Sequence, residues 1–329
     1  MELRRSGISA GLRHFGLLNA ERRSNAQEFG AAICIPESAK ECLHRVPQAF
    51  PAMTTHEPFF ADLALARRLE ATDARVGIEA ARIHSQLHPE SGATAEPIAG
   101  GYAIFIGPDS SFTQALGLGM ETAVTESDII LAEEFFFPRG VPSRIEMCPL
   151  ADPSLRTVLG NRGYRLAECA NMLVRRLRPG TAYTIPSSPI DVQRCKPGDA
   201  VSWAKTVAEG FSTDQAMAEE NVRTLTTLFQ KPYATCVLAR VDGELAGGGA
   251  FSAIDGVGAM YGASTLSRFR RRGVQTAIIH ALLAAAAEAH CDIAYTLTRP
   301  ASESQRNVER QGFRVAYTRS TMIKDLPRM

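Results

Sequence analysis

The sequence predicts an α/β protein of the α+β kind, built from two similar domains, each a mixed and mostly antiparallel sheet flanked by helices. Three observations carry this. The chain has 329 residues, about twice the usual domain size. Strand-like runs alternate with helical stripes along most of its length. The endings of the two halves also repeat. Gly163-Tyr-Arg-Leu-Ala167 matches Gly312-Phe-Arg-Val-Ala316 at an offset of 149, and Met172-Leu173 matches Met322-Ile323 at an offset of 150. Each copy is a short helix, a glycine and a long strand. One repeat at domain-sized spacing implies a duplicated domain rather than a solenoid.

In the first half, Phe60, Leu63, Leu65, Leu69 and Val76 fit a helix from Phe59 to about His88. Ile98 to Ile106 reads as one strand, with glycines at its start and Gly107-Pro108-Asp109 ending it. Thr125-Glu-Ser-Asp128 has the capping signature of a helix that runs to about Phe137. A short strand from Arg144 to Cys148, a helix from Pro153 to Asn161 and a long strand from Tyr164 to Leu177 complete this half.

In the second half, helices are expected from Gly198 through Trp203 and Val207, and over Asp214–Phe229. Asp242-Gly243 is a strong hairpin turn between strands Tyr233–Val241 and Leu245–Ser252. Asp255-Gly256 leads into the strand Val257–Thr265. Val274 to Ala289 carries an apolar helical stripe, Asp292–Leu297 is a buried strand, Ser302–Arg310 a short helix and Phe313–Ile323 the last strand. The domain plan is thus an extension over 1–52, a domain over 53–178, a proline-rich linker over 179–197 and a second domain over 198–329. The extension is rich in early arginines but carries Glu2, Glu21 and Glu28, which argues against a transit peptide.

Composition narrows the function. Apolar residues at 45 % and charged residues at 22 % exclude wholesale disorder. With 36 basic and 35 acidic residues, no bulk field attracts polyanions, so nucleic acid is not an expected partner. No run reaches the ~20 apolar residues of a membrane span. The 7 cysteines lie far apart with no CxxC, and the histidines have no ligand spacing, so neither a disulfide framework nor a metal is expected, and a cytoplasmic home is. Cys236, Cys291 and Trp203 read as core residues.

The stretch with chemical content is Tyr261-Gly-Ala-Ser-Thr-Leu-Ser-Arg-Phe-Arg-Arg-Arg-Gly-Val-Gln-Thr-Ala277. A strand runs into a basic loop and then a helix. The first amides of that helix lack intrahelical partners, and its dipole adds positive potential. Gly273 allows close approach to the backbone, and Arg270, Arg271 and Arg272 add forks suited to phosphate oxygens. A diphosphate-like anion is the expected ligand. Neither a Walker loop nor a G-x-G-x-x-G fingerprint is present.

Arg270-Arg-Arg-Gly273-Val-Gln275 resembles the R/Q-x-x-G-x-G/A loop of the GCN5-related N-acetyltransferase (GNAT) family, with Gln275 where Gly or Ala is usual. The order of elements over Gly198–Leu326 is similar too. The first half resembles a degenerate copy, as in tandem acetyltransferases, without the loop: its Gly117-Leu-Gly-Met120 lacks cations. The resemblance implies a parallel strand pair, Val257–Thr265 and Asp292–Leu297, splayed around acetyl-CoA. It implies that backbone near Ser264, Thr265 and Leu266 holds the pantetheine arm and polarises the thioester. It implies that amides of Arg271, Arg272, Gly273, Val274, Gln275 and Thr276 hold the pyrophosphate.

The expected activity is acetyl transfer to the primary amine of a small molecule or peptide, by direct attack. The family's usual acid, a tyrosine before Gly-Phe, is replaced by Val308. Asn307 and Tyr317 are therefore the candidate catalytic residues, with Tyr261 a further alternative and Glu219 or Glu220 candidates for the base. The alternative function is an acyl-CoA-binding or interaction module that has lost catalysis.

Overall fold

The computed structural model describes residues 60–179, 183, 189–211 and 215–327, except the side chains of 215–221. The expected extension 1–52 and residues 180–182 and 184–188 of the expected linker lie outside the described residues.

The first half opens on helix α1, Leu63–Leu87, capped by Asp62, whose carboxylate accepts the Leu65 amide at 2.8 Å. The expected strand 98–106 is instead a hairpin: β1, Thr94–Ile98, and β2, Gly101–Phe105, turn through Ala99 (φ 50°) and Gly100 (φ 77°). Gly100 lies in the turn, where left-handed backbone reverses the chain, and Gly101 opens β2. β3 is Gln114–Leu116. Helix α2, Glu126–Phe136, starts at the expected capping box, with Thr125 and Asp128 exchanging hydrogen bonds. β4, Ser143–Met147, α3, Pro153–Asn161, and β5, Arg165–Arg176, follow.

The second half begins inside the stretch read as linker, with β6 at Asp191–Arg194, which pairs with β7. Helices α4, Ala200–Phe211, and α5, Gln215–Phe229, precede β7, Ala234–Val241, β8, Glu244–Ile254, and β9, Val257–Thr265. Asp242 and Gly243 both take left-handed backbone, as the tight turn requires. Helix α6, Val274–Glu288, β10, Ile293–Thr298, α7, Glu303–Arg310, and β11, Arg314–Lys324, end the chain.

The eleven strands among the described residues form one sheet in the order β1-β2-β3-β4-β11-β5-β10-β9-β8-β7-β6. The closing strands are exchanged. β5 of the first half lies against β10 of the second, and β11 of the second lies against β4 of the first. Each half thus supplies the strand that completes the other half's sheet.

The two faces are covered differently. On one, α6 packs Val274, Ile278, Leu282 and Ala286 against β7 to β9. On the other, α1 crosses both halves: Ala66, Leu69 and Val76 meet Val257, Ala259, Ile293 and Tyr295, while Ala80 and Ala81 meet Ile104, Leu116 and Leu228. Burying such apolar area is the main favourable contribution to the fold, at roughly 25 cal/mol per Å². Trp203 is core, as its helical position implies, with its indole N–H bonded to the Gly249 carbonyl at 3.1 Å.

Candidate functional site

β9 and β10 run parallel but pair only at Val257–Ile293, Gly258–Ala294 and Ala259–Tyr295. Both strands continue beyond that point without pairing, so they open a cleft. Its cause is in β9. The β8–β9 register shifts between Ala250–Tyr261 and Gly248–Ser264, and Gly262 sits in the left-handed region at φ 68°. An extra residue there bends the strand away from its neighbour.

Two hydroxyls at the far ends of the parting strands, Thr265 Oγ1 and Thr298 Oγ1, are buried without a hydrogen-bond partner among the described residues. Buried polar atoms are normally paired, so these two mark where a polar ligand fits. Leu266 behaves otherwise: its amide bonds to the Ala246 carbonyl at 2.9 Å and its side chain is core. Ser264 is tied to α4 through the Val207 carbonyl at 3.1 Å.

The basic loop lies next. The Arg270 amide bonds to Ser267, and the first bond within α6 runs from Ala277 to Gly273 at 3.1 Å. Between them, no internal acceptor among the described residues takes the amides of Arg271, Arg272, Gly273, Val274, Gln275 and Thr276. Gly273 caps α6 at φ 87°. A Cβ there would meet Ile190 only at 3.7 Å, so the backbone angle, not crowding, selects glycine. Arg271 also has positive φ, is exposed and makes no ion pair among the described residues. Its neighbours are engaged, Arg270 with the Gly210 carbonyl at 3.3 Å and Arg272 with Asp242 at 3.2 Å. Open amides, a helix dipole and a guanidinium without an ion pair are the groups that an anion site uses.

Asn307 on α7 joins this region, donating to Gln275 Oε1 at 2.6 Å. The residue that departs from the familiar loop pattern thus positions the candidate beside it. Val308 is core with Phe313.

Tyr317 is placed elsewhere, on the α1 face of the sheet. Its hydroxyl donates to Glu70 at 2.8 Å, and Arg319 pairs with Glu70 at 3.0 Å and with Asp73 at 2.7 Å. Tyr295 donates to Asp73 at 3.0 Å. Burial pushes the Tyr317 hydroxyl far above its ordinary value, helped by the Glu70 charge. Burial raises Glu70 despite Arg319, while Glu70 and Asp73 hold Arg319 well above its usual value against its own desolvation. Tyr261 is buried, with its hydroxyl 2.8 Å from Ser252 Oγ. The side chains of Glu219 and Glu220 lie outside the described residues. Sequence reasoning missed Thr298, whose only signal is its place at the end of the strand facing Thr265.

The equivalent turn of the first half is closed. The Gly119 carbonyl accepts the Asp152 amide, the Gly119 amide bonds to Ala99, and Arg67 takes the Met120 carbonyl at 2.8 Å. Among the described residues no cluster of three or more metal-ligating side chains occurs, and no helix is long and apolar enough to cross a membrane.

Residues 202–313, which hold the cleft, the loop and α7, match the sequence model of the acetyltransferase (GNAT) family. Over this stretch the chain is similar to GNAT-family acetyltransferases. Solved structures agree in fold. A GCN5-related N-acetyltransferase from Kribbella flavida superposes with a TM-score of 0.55 at 18 % identity, over 75 % of this chain and 96 % of its own. A tandem GNAT protein from the clavulanic acid biosynthesis pathway gives 0.52 at 14 %, over 83 % and 98 %. A conserved protein of unknown function from Staphylococcus epidermidis gives 0.52 at 11 %, over 74 % and 97 %. No curated protein sequence matches the chain. These likenesses are of fold: the sheet is mixed and mostly antiparallel, with helices on both faces.

Proposed function

We propose that the chain transfers the acetyl group of acetyl-CoA to a primary amine of a small molecule or peptide, with the GNAT-like stretch binding the coenzyme. The observation that carries this reading is the alignment, along one cleft, of two buried hydroxyls and six open amides, unpartnered among the described residues, beside an arginine without an ion pair there. The amides of Arg271 to Thr276 and the Arg271 guanidinium suit the pyrophosphate of the coenzyme. Thr265 and Thr298 suit the polar groups of its pantetheine arm. Coenzyme A supplies the activated thioester. The chain's own part is to hold it extended between β9 and β10 and to present backbone amides near Ser264 and Thr265 to the carbonyl. The amine nitrogen attacks the carbonyl carbon, the C–S bond breaks, and the thiolate takes a proton. The first half, with its loop closed by its own backbone, serves as a partner domain that completes the sheet. The cytoplasm suits such chemistry.

Calorimetric titration with acetyl-CoA, followed by thiol release across a panel of amines, tests the proposal. A chain that binds no coenzyme overturns it. A second reading, a coenzyme-binding module without turnover, draws on Val308 at the usual acid position and on the commitment of Tyr317 to Glu70. Coenzyme binding with no amine acetylated would select it.

A further inference from the structure

One buried cation is not used by the coenzyme site. Lys231 follows α5, is 3 % exposed, and its Nζ has no hydrogen-bond partner among the described residues. Its carbonyl accepts the Ala234 amide at 3.1 Å, which fixes the turn, and its side chain carries Nζ to 5.1 Å from the Tyr261 ring centroid. Tyr261 is the last β9 residue paired before the register shift, and β9 and β10 have already parted at Ala259–Tyr295. Ala234, where the turn ends, is in register through Ser252 with Ala259 and Tyr295, and the Tyr261 hydroxyl meets Ser252, so the amine lies over β8, level with the point where β9 and β10 part. It is on the face covered by α1, α4 and α5, opposite α6 and the basic loop.

An unpaired buried ammonium is costly, and among the described residues the other deeply buried cation is fully paired: Arg319 has both Glu70 and Asp73. Lys231 has neither. Asp73 is taken by Arg319 and Tyr295, and Glu79 by Arg82. The charged and titratable groups that face Lys231 are Asp73 and Glu79 from α1, Cys236 from β7 and Tyr261 from β9. Burial pulls its pKa down to about 7, with Asp73, Glu79 and Cys236 opposing the shift. A lysine kept for packing gains nothing from this setting. A lysine that must be neutral in part at neutral pH gains from all of it.

We propose that Lys231, as the neutral amine, accepts the proton that an acceptor's ammonium must shed before its nitrogen attacks the thioester. The proposal rests on the acetyltransferase reading and deepens it: the acceptor is an aliphatic amine, protonated in solution at neutral pH. The ammonium loses one proton to Lys231, directly or through one water molecule. The C–N bond forms, the C–S bond breaks, and the second proton of the attacking nitrogen ends on the leaving sulfur. Lys231 then returns its proton to water.

The test uses the full chain, acetyl-CoA and the best amine from the panel. The wild-type kcat/KM rises with pH, with a midpoint near 7. Lys231→Met leaves acetyl-CoA affinity within twofold, lowers kcat about a hundredfold to ten-thousandfold, removes the rising limb and raises the melting temperature. Lys231→Arg does not restore the rate. A Lys231→Met enzyme within threefold of wild type, with its limb intact, overturns the proposal while leaving acetyl transfer standing. A wild-type chain that acetylates no amine overturns both. Should Lys231→Met not fold, nitrogen-15 lysine NMR of the wild type decides: a Lys231 midpoint near 7 supports the role, and one above 9 overturns it.

Discussion

Ala167 in β5 and Ala316 in β11 are each the unpaired extra residue of a bulge, and they occupy equivalent positions in the two copies of the repeat. The register around them is symmetric. Arg314 faces Val174 and Ile323 faces Arg165, and those pairs exchange at a constant offset of 149, so the Met-Leu match at 150 falls one residue out of the structural register. The closing strands therefore lie about a local twofold, and the repeated endings seen in the sequence coincide with the strand exchange in the sheet.

The exchange predicts that the halves do not fold independently. A chain divided within residues 180–188 leaves each half with its closing strand facing no partner and its own sheet short of one. Each half expressed alone is expected to aggregate or to melt without cooperativity, because an open edge next to the core is exposed. Mixed halves are expected to regain a single cooperative transition. Calorimetry of the separate halves checks this, and a sharp transition in either one alone contradicts it.

Helices, the Asp242-Gly243 hairpin and the loop were legible because their signals are local, whereas the hairpin at Ala99-Gly100 was not. Thr125 with Asp128, Asp242-Gly243 and the stripe from Val274 each fix backbone within a few residues. The exchange was not legible. A strand's patterning says which face is buried, not which strand lies beside it. The site divides in the same way. The amides of Arg271 to Thr276 follow from a glycine before a helix, but the fate of Tyr317 depends on Glu70, 247 residues away along the chain. Lys231 was invisible because burial without a partner is a property of three elements packing together.

The Glu70–Arg319–Asp73 cluster joins α1 of the first half to β11 of the second. Both Glu70 and Arg319 are 1 % exposed. Glu70→Ala strands a buried guanidinium with one carboxylate and is expected to cost about 3–5 kcal/mol in urea unfolding. Tyr317→Phe removes one hydrogen bond and is expected to cost about 1 kcal/mol. If Tyr317→Phe instead lowers kcat by more than tenfold at unchanged stability, the hydroxyl acts in the reaction.

Gly273 holds a backbone angle of φ 87° at the cap of α6. Gly273→Ala is expected to cost about 1–2 kcal/mol of stability, because a Cβ opposes left-handed backbone. Gly273→Glu adds a carboxylate to the anion site and is expected to abolish acetyl-CoA binding in calorimetric titration. Equal affinity in wild type and Gly273→Glu would remove the pyrophosphate from this turn.

Lys231 also sets how stability follows pH. Burial takes its pKa from the ordinary lysine value of 10.5 down to about 7 on folding. Below pH 7 both states carry the proton, and the cost of burying the charge is felt in full. Between pH 7 and 10.5 the unfolded chain binds the proton and the folded one does not, so stability rises with pH. The gain from pH 7 to 9 is about 2 kcal/mol, at 1.36 kcal/mol per unit. Above that, the buried thiols oppose it. Burial holds Cys148 and Cys195 up at about 12, so the unfolded chain loses their protons first and stability falls. Wild-type stability is thus expected to peak near pH 9. In Lys231→Met the rise disappears and the curve is flat from pH 7 until the thiols titrate. Urea midpoints measured across pH 6–10 for both chains decide it: parallel curves would mean that Lys231 carries its charge in the folded state throughout.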